Sequence, residues 1–468
     1  MRLPRIMLSA GSSGSGKTLL TCGLLKALSD LGVKTASFKC GPDYIDPMFH
    51  SRVLGIPSRN LDTFFTGEKR TRYLLGKGAQ NCDLAVMEGV MGYYDGLGGT
   101  TTKASAYDLA RVTDTPVILI VNSKGMSVSL AAYIKGFLEY KEDSRIKGVI
   151  LNQLSPMLYP RMKALLEEEL GIQVLGYVPK LEDCVLESRH LGLLLPHEVK
   201  DLQEKLKKLS SVLKDTVDIQ KIRKLAESAG ELLLPENLKD EEEAFSFRLG
   251  ERVRIGVARD EAFCFFYQDN FQLLQEMGAE MVWFSPLHDP CLPSDLDGLL
   301  FYGGYPELYA GALGENQSML QSVRRAVKGG LPCMAECGGF MYLHGEMEGM
   351  DGGIYKMAGV LPGRVYRTPK LRRFGYVTLK QRKPVLGTEA LGEIPAHEFH
   401  YFDSENCGES FRAQKPISSQ AWECIHGTPS LMAGFPHLYY YAAPKVPRAF
   451  LTACAAYKQN LRKKAGCP

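Results

Sequence analysis

The amino-acid sequence predicts an α/β protein with two domains, of which the first is a doubly wound, mainly parallel sheet. Three features of the sequence, taken in chain order, support this fold class. Near the start of the chain, short apolar runs alternate with segments of helical periodicity. A charged middle stretch follows, and a second alternation of the same kind begins after it. Continuous apolar strands separated by helices are typical of a parallel sheet that is covered on both faces. A chain of 468 residues is also long for a single hydrophobic core.

Six apolar runs are predicted to form the strands of the first sheet, with helical patterns between most of them. They are residues 5–10, 34–40, 83–88, 116–121, 147–152 and 173–178. Lys, Glu and Leu then dominate residues 197–250, which predicts amphipathic helices and a solvated linker. We therefore expect a first domain over residues 1–196, a helical linker over 197–250 and a second domain over 251–460.

The second domain repeats the alternation and turns rich in strands from residue 358 onward. This succession indicates another α/β domain. The predicted strands are 252–258, 280–284, 298–302, 331–336, 374–379 and 398–402, and the predicted helices are 265–277 and 319–327.

Composition narrows the function classes. The net charge of +3 is too small to favour nucleic acid or an anionic membrane surface as a partner. No apolar run approaches the length of about 18 residues that a membrane span needs. The 12 cysteines are scattered without a C-x-x-C pair, as in reduced cytosolic proteins. We expect a cytoplasmic protein.

Residues 11–18 read Gly-Ser-Ser-Gly-Ser-Gly-Lys-Thr and match the phosphate-binding pattern G-x-x-x-x-G-K-[ST]. A predicted strand precedes this loop and a helical pattern follows it, which is the arrangement that places phosphate at a helix N-terminus. Gly14 and Gly16 would let backbone N–H groups point at phosphate oxygens. Lys17 would reach the β- and γ-phosphates, and the Thr18 hydroxyl would bind Mg²⁺. The loop predicts binding of ATP or GTP.

Acidic residues follow the second and third predicted strands, at the edge of the sheet where ligands bind. Asp43 and Glu88 are the carboxylates that we expect to hold Mg²⁺, alone or with the threonine of the phosphate loop. Asp46 and Asp95 are candidates for orienting a substrate or ordering the loop. Lys39 would complement the charge of a phosphate or of a substrate carboxylate.

Cys337 lies where a predicted strand gives way to a helical pattern. Residues 332–340 read Pro-Cys-Met-Ala-Glu-Cys-Gly-Gly-Phe, the pattern of a nucleophile elbow. The helix N-terminus is expected to lower the pKa of the thiol. The backbone N–H groups of Gly338 and of Gly304, at the end of an earlier predicted strand, would stabilise an oxyanion.

A cysteine nucleophile needs a base, and three histidines of the second domain are candidates. His437 follows a predicted strand late in the domain, while His397 and His400 lie in the sequence Ala-His-Glu-Phe-His-Tyr. Spacing alone does not separate the three, and any of them can be a structural histidine.

Five motifs together resemble the cobyrinate a,c-diamide synthases, in the same order and over nearly the whole chain. They are residues 11–18, 41–47, 88–96, 303–307 and 337–340. The resemblance implies a dethiobiotin-synthetase-like ATP domain joined to a class I-like glutamine amidotransferase domain. Such enzymes amidate the a- and c-side-chain carboxylates of cobyrinate during cobalamin synthesis.

The resemblance also implies roles for particular residues. It makes Cys337 the glutaminase nucleophile and His437 the residue that activates it, and Asn152 resembles the adenine-binding asparagine of related synthetases. Class I amidotransferases usually have Glu two residues after the histidine, where this chain has Tyr439, so a Cys–His dyad is expected. Five residues are implied to surround ATP, the metal and the activated carboxylate: Asp43, Tyr44, Ile45, Glu88 and Asp95.

The expected reaction combines the two sites. The first domain transfers the γ-phosphate of ATP to a substrate carboxylate, and the second hydrolyses glutamine through a thioester. The released ammonia then displaces phosphate from the acyl phosphate. The expected partners are ATP with Mg²⁺, L-glutamine, and cobyrinate or a related tetrapyrrole acid, and a homodimer is left open.

Other interpretations share part of the pattern. A nickel-sirohydrochlorin a,c-diamide synthase would have nearly every motif, and cobyric acid synthase has the same two domains but a different Glu-Gly segment. A partitioning-type ATPase usually has an additional lysine early in the phosphate loop and no use for a cysteine elbow. Four arginines either meet substrate carboxylates or form a solvated face: Arg364, Arg367, Arg372 and Arg373.

Overall fold

The structure is a computed structural model that describes residues 1–53, 55–56, 58–181, 184, 188–189, 192–193, 199, 201–235, 238 and 242–464. The chain divides into two compact units, Met1–Glu236 and Asn237–Pro468. The domain limits drawn from the sequence remain predictions. In the part of the chain that is described, no helix combines the length and the apolar character needed to cross a bilayer.

The first unit contains a seven-stranded sheet whose strand pairings are parallel and whose central strand leads into the phosphate loop. The strand order is β3-β2-β4-β1-β5-β6-β7, and β8 and β9 form a separate antiparallel ribbon. The strands are β1 (Arg5–Ala10), β2 (Thr35–Cys40), β3 (Ser58–Leu61), β4 (Leu84–Glu88), β5 (Val117–Asn122), β6 (Ile146–Asn152), β7 (Gln173–Val178), β8 (Ser188–Arg189) and β9 (Gly192–Leu193).

The six predicted strands of this sheet are present, with ends that differ from the prediction by one residue at most. All six residues of β1 are buried, as an apolar strand at the centre of a covered sheet requires. The edge strand β3 was not predicted, because its sequence Ser-Arg-Asn-Leu has no apolar run. It is recognised only through its pairing with β2.

Helices cover this sheet, and the last two belong to the stretch that we predicted as a linker. On α1, a Cβ at Gly23 would lie 2.6 Å from Leu213 and 2.7 Å from Leu209 of α7, so the two helices are in close contact. The helices are α1 (Lys17–Asp30), α2 (Ile45–Met48), α3 (Thr63–Gly78), α4 (Ala106–Val112), α5 (Ser129–Glu139), α6 (Tyr159–Leu170), α7 (Leu202–Thr216) and α8 (Ile219–Glu227).

The second unit has a six-stranded sheet of order β11-β10-β12-β13-β23-β22, parallel except for the pair β22 and β23. A five-stranded antiparallel sheet of order β21-β20-β17-β18-β24 and a four-stranded sheet of order β15-β14-β16-β19 complete it. The strands are β10 (Val253–Ala258), β11 (Ala279–Phe284), β12 (Gly298–Phe301), β13 (Cys333–Glu336), β14 (Glu346–Glu348), β15 (Ile354–Lys356), β16 (Arg364–Arg367), β17 (Arg373–Gln381), β18 (Glu393–His400), β19 (Phe402–Ser404), β20 (Phe411–Gln414), β21 (Ala421–Cys424), β22 (His426–Thr428), β23 (Leu431–Gly434) and β24 (His437–Leu438).

The predicted strand 398–402 is divided in the structure between β18 and β19, which lie in different sheets. The predicted helices 265–277 and 319–327 are present with shifted ends. The helices of this unit are α9 (Gln268–Glu276), α10 (Ala310–Glu315), α11 (Gln317–Lys328), α12 (Gly338–Tyr342) and α13 (Lys445–Lys464).

Candidate active sites

The phosphate loop connects β1 to α1 with the backbone that its glycines allow. Gly14 and Gly16 have φ of 76° and 92°, in the left-handed region that favours glycine. A Cβ at Gly16 would also lie 2.5 Å from Nδ2 of Asn152. That amide donates a hydrogen bond to the Ser15 carbonyl at 2.9 Å, so the end of β6 supports the loop.

Lys17 is the first residue of α1 and is folded back over the loop. Its Nζ donates to the carbonyl oxygens of Ser12 at 2.9 Å and Met91 at 2.6 Å. Burial, together with the neighbouring charge of Lys39, lowers the pKa of Lys17 to about 8. The lysine thus connects the phosphate loop with the segment that follows β4, where incoming phosphate charge would favour its protonated form.

A buried cluster of charges lies at the ends of β2 and β4, beside the start of α1. Lys39 Nζ lies 2.5 Å from Asp46 Oδ2 and 2.8 Å from Glu88 Oε1. The Thr18 hydroxyl donates to Glu88 Oε1 at 2.7 Å and lies 3.4 Å from Asp46 Oδ2. Parallel strands bring these groups together because their carboxyl ends meet at one edge.

The charges of this cluster determine which groups are ionised. Burial opposes the charge of Lys39, but Asp46 and Glu88 outweigh it and raise the pKa of that lysine. Burial likewise opposes ionisation of Glu88, but Lys39 and His50 outweigh it and lower the pKa of Glu88. For Asp46, burial and the neighbouring carboxylates of Asp43 and Glu88 raise the pKa.

His50 was not predicted as a site residue, although it lies only three residues after the motif of residues 41–47 that includes Asp43 and Asp46. It is fully buried, and its Nε2 lies 3.3 Å from Glu88 Oε2 while its Nδ1 lies 2.7 Å from the Ser37 hydroxyl. A histidine four residues after a predicted site aspartate was the available signal, since one helical turn returns it to the same side.

The other predicted acidic residues order loops. Asp43 Oδ1 accepts the N–H groups of Ile45 at 2.8 Å and Asp46 at 3.2 Å, as a turn-forming aspartate does. Tyr44 immediately precedes α2. Asp95 Oδ2 accepts the backbone N–H of Gly92 at 2.9 Å. The structure therefore brings Asp46, rather than Asp43, into contact with Thr18 and Lys39.

The donor set of this cluster fits Mg²⁺. The hydroxyl of Thr18 and the carboxylates of Asp46 and Glu88 are the hard oxygen ligands that this ion prefers, usually with phosphate oxygens and water in the remaining positions. Within the described residues, no three His, Cys, Asp or Glu side chains form a metal cage by themselves.

Cys337 lies in the sharp turn between β13 and α12. Its φ of 45° and ψ of −106° are strained for a residue with a side chain, as is usual for nucleophile elbows. Its N–H donates to the Gly434 carbonyl at 2.8 Å, which anchors the turn to the end of β23. A Cβ at Gly339 would lie 2.4 Å from the Phe301 carbonyl, so the turn needs glycine after the cysteine.

The two predicted oxyanion glycines lie side by side. A Cβ at Gly338 would lie 3.1 Å from the backbone nitrogen of Gly304. A Cβ at Gly304 would lie 2.0 Å from the carbonyl oxygen of Ala262, so no larger residue fits there. The backbone N–H groups of both glycines are thus near the start of α12, as an oxyanion site requires.

The structure distinguishes the three candidate histidines by their neighbours. His437 begins β24, pairs with His397 of β18, and places its Cε1 where a Cβ at Gly303 would be only 2.6 Å away. His400 instead binds Glu398 at 3.0 Å and the Phe402 carbonyl at 2.6 Å. Only His437 is therefore shown in contact with the glycine segment beside the elbow, and its role as base remains a prediction.

The prediction that the helix N-terminus lowers the thiol pKa is wrong. Burial, followed by the charge of Glu307, raises the pKa of Cys337, and the Gly338 N–H offsets only part of this. The helix α12 has only five residues, so its dipole is small. Burial also lowers the pKa of His437 to about 3. Both groups are neutral at neutral pH in this structure.

The remaining predicted positions have structural partners. The hydroxyl of Tyr439 donates to Asp269 Oδ2 at 2.8 Å. Among the clustered arginines, Arg364 pairs with Glu346 at 3.1 Å and Arg372 with Asp403 at 3.0 Å. Two of the four arginines thus have acidic partners, and contact of the four with substrate carboxylates stays a prediction.

Two family descriptions match the chain. Residues 6–193 match the CobQ/CobB/MinD/ParA nucleotide binding domain, and residues 254–428 match the CobB/CobQ-like glutamine amidotransferase domain. They confirm the predicted fold class. Phosphate loop and cysteine elbow thus belong to one class of protein, an amidoligase that joins a nucleotide-binding α/β domain to a glutamine amidotransferase domain.

Relatives identify the family within this class. The cobyrinate a,c-diamide synthase of Caldanaerobacter subterraneus subsp. tengcongensis is 37% identical over 97% of this chain and 99% of its own length. That of Priestia megaterium is 36% identical over 98% of both chains, and that of Thermoplasma volcanium 34% over 98% of this chain and 99% of its own. The chain belongs to the cobyrinate a,c-diamide synthase family, which confirms the predicted resemblance.

Proposed function

We propose that this chain amidates the a- and c-side-chain carboxylates of cobyrinate with ammonia from glutamine, using ATP to form acyl phosphates. The relatives' name supports the substrate. The observation that carries the proposal is the strained Cys337 elbow beside Gly304 and Gly338, in a chain that also has a complete phosphate loop.

In the first step, the substrate carboxylate attacks the γ-phosphorus of ATP, and ADP leaves. Lys17 would move from the carbonyls of Ser12 and Met91 to the phosphate oxygens, where its positive charge stabilises the developing negative charge. Thr18 and Glu88 would hold Mg²⁺, which neutralises phosphate charge when it is bound. Backbone N–H groups of the loop orient the polyphosphate.

In the second step, the Cys337 sulfur attacks the side-chain amide carbon of glutamine. His437 takes the thiol proton and gives it to the leaving nitrogen, so that ammonia is released and a thioester remains. The N–H groups of Gly304 and Gly338 would stabilise the negative oxygen of the tetrahedral intermediate. Water then hydrolyses the thioester to glutamate with the same histidine as base.

In the third step, ammonia attacks the acyl phosphate carbonyl, and inorganic phosphate leaves as the amide forms. The neutral state of Cys337 and His437 in this structure suits a glutaminase that is slow until its substrates are bound. We expect the thiol proton to move to the imidazole once the glutamine amide occupies the oxyanion site, since negative charge is stabilised there.

The test is a reaction of the purified chain with cobyrinate, ATP, Mg²⁺ and glutamine. We expect one ADP and one glutamate for each amide formed, with mass spectrometry detecting the monoamide and then the diamide. Turnover of nickel-sirohydrochlorin in place of cobyrinate would move the assignment to the alternative tetrapyrrole substrate. Absence of ADP formation with either acid would refute the amidation proposal.

A further inference from the structure

We propose that Glu336 is the residue that positions His437 for the glutaminase reaction. This inference rests on the proposed function, because the role of His437 as base is itself proposed. Glu336 was not among the residues that the sequence singled out, although it directly precedes the nucleophile.

The geometry brings a carboxyl at the end of β13 to the imidazole at the start of β24, although the two strands belong to different sheets. Glu336 is the last residue of β13 and is only 4% exposed. Its Oε2 lies 3.8 Å from Nδ1 of His437 and accepts the N–H of Leu438 at 3.2 Å. One carboxyl thus contacts the side chain of His437 and the backbone of the next residue, which connects β24 to β13, the strand that directly precedes Cys337.

This arrangement has a chemical consequence for the proton. A carboxylate at Nδ1 holds the imidazole in the tautomer whose Nε2 is free to accept the Cys337 proton, and it stabilises the imidazolium that forms. The distance of 3.8 Å exceeds a hydrogen bond, but catalytic contacts often shorten only when substrate is bound.

Two further observations favour Glu336 as the residue that positions His437. Tyr439, at the position where class I enzymes usually have the acid, donates its hydroxyl to Asp269 and offers no carboxylate to His437. Among the described residues, Glu336 Oε1 has no hydrogen-bond partner, which is unusual for a buried carboxyl oxygen. That oxygen leaves the carboxyl with capacity for a further contact.

The surroundings of Glu336 predict how the effect depends on pH. Burial raises the pKa of Glu336 to about 8, opposed by the Leu438 N–H. The titratable groups near it are His437 on β24, Cys337 in the elbow, and the buried hydroxyls of Tyr302 and Tyr440, which bond each other at 3.1 Å. Since the carboxylate is the active form, glutamine-dependent kcat should rise with pH through about 8.

The decisive experiment compares Glu336→Gln and Glu336→Asp with the unchanged chain, using glutamine or ammonium chloride as nitrogen source. We expect Glu336→Gln to lower the glutamine-dependent kcat by about 10²-fold or more, with KM for glutamine changed less than about threefold. In this variant the glutamine-dependent kcat should no longer rise as the pH passes through about 8. Ammonia-dependent turnover should remain within about twofold, and Glu336→Asp should recover part of the kcat.

A matched control is Asp260→Asn, which changes a half-buried carboxylate of the same unit that accepts the N–H groups of Ala262 and Phe263. A structural loss in the second unit should lower the glutamine-dependent kcat but leave the rise of kcat near pH 8 in place, because Glu336 is unchanged. If Glu336→Gln behaves like this control, or keeps its glutamine-dependent kcat and pH profile, the positioning role is wrong. If Glu336→Gln does not fold, the pH profile and kcat of Glu336→Asp decide between the same two outcomes.

Failure of the proposed function gives a different result. In that case the unchanged chain would form no glutamate, or Cys337→Ser would still use glutamine. A chain that uses glutamine through Cys337 but ignores the Glu336 substitutions contradicts only the present inference.

Discussion

The two sites of this chain both bury titratable groups, but they treat charge in opposite ways. In the phosphate-loop unit, Lys39 lies between the carboxylates of Asp46 and Glu88, and these contacts outweigh the effect of burial on Lys39 and Glu88. In the cysteine unit, burial is the dominant influence, and it keeps Cys337 and His437 neutral.

The difference follows from what each site has to bind. A site for a polyphosphate and a metal ion needs charges that are already present, and a buried charge persists only when an opposite charge pairs with it. A site for a neutral amide needs a proton that can move between neutral groups, and burial without a strong counter-charge provides that. The predictions below test this contrast, beginning with the largest expected effect.

Cys337→Ser should separate the two chemistries most clearly. We expect glutamine-dependent amidation to fall by at least about 10⁴-fold, because the thiol nucleophile is lost, while ammonia-dependent amidation continues. The measurement is glutamate and ADP formation with each nitrogen source. Cys333→Ser, a change at a buried cysteine of β13, the strand that precedes Cys337, is the control and should keep glutamine use. Equal losses in both variants would contradict the assignment.

Lys39→Met should destabilise the first unit strongly. It removes the cation between Asp46 and Glu88, and an uncompensated buried carboxylate costs about 3–5 kcal/mol. Unfolding in urea, followed by circular dichroism, measures this. Lys26→Met is the control, because its pair with Asp30 is partly exposed and an i,i+4 pair contributes only about 0.3–0.5 kcal/mol. Equal effects would show that burial of the pair is irrelevant.

Acid should destabilise the second unit through its neutral histidines. Burial lowers the pKa of His437 and His397 to about 3 and that of His344 to about 4, whereas an unfolded histidine titrates near 6.5. Between these values the unfolded chain binds more protons, so stability is lost as pH falls below 6.5. Each histidine contributes at most about 1.4 kcal/mol per pH unit. Glu336, with its raised pKa, acts in the opposite direction and offsets part of this slope.

Tryptophan fluorescence follows this transition, because both tryptophans, Trp283 and Trp422, belong to the second unit. We expect the urea midpoint of unfolding to decrease as the pH is lowered from 6.5 to 5. His344→Gln should make this decrease of the midpoint with pH less steep. His288→Gln should leave it nearly unchanged, since His288 is largely exposed and Glu261 raises its pKa. An unchanged slope in His344→Gln would mean that burial does not keep this histidine neutral.

Gly16→Ala should have the smallest effect on stability and a specific effect on ligand binding. The left-handed φ of 92° costs about 1–2 kcal/mol for alanine, and the new Cβ would meet Asn152. Calorimetry should show ATP binding weakened by about tenfold or more. Gly32→Ala has a similar φ of 75° with open space around it, so it should lose stability but keep ATP affinity. Normal ATP binding by Gly16→Ala would disprove the role of the loop.

Much of the fold could be predicted because its strands and helices have recognisable local sequence patterns. Apolar runs located the six strands of the first sheet, whereas the polar edge strand β3 has no such pattern and depends on its pairing with β2. The helices α7 and α8 were predicted as helices, but only packing shows that α7 contacts α1. Boundaries between units depend on contacts that sequence composition does not report.

The sequence by itself determined the phosphate loop, the cysteine elbow and the family, because each depends on short spacings that local backbone geometry demands. The tertiary structure decided what distant strands bring together. It selected Asp46 over Asp43 as the partner of Lys39, and it placed His437 beside Gly303 and Glu336. It also reversed the expected pKa shift of Cys337, because desolvation depends on every atom packed around a group and not on its neighbours in sequence.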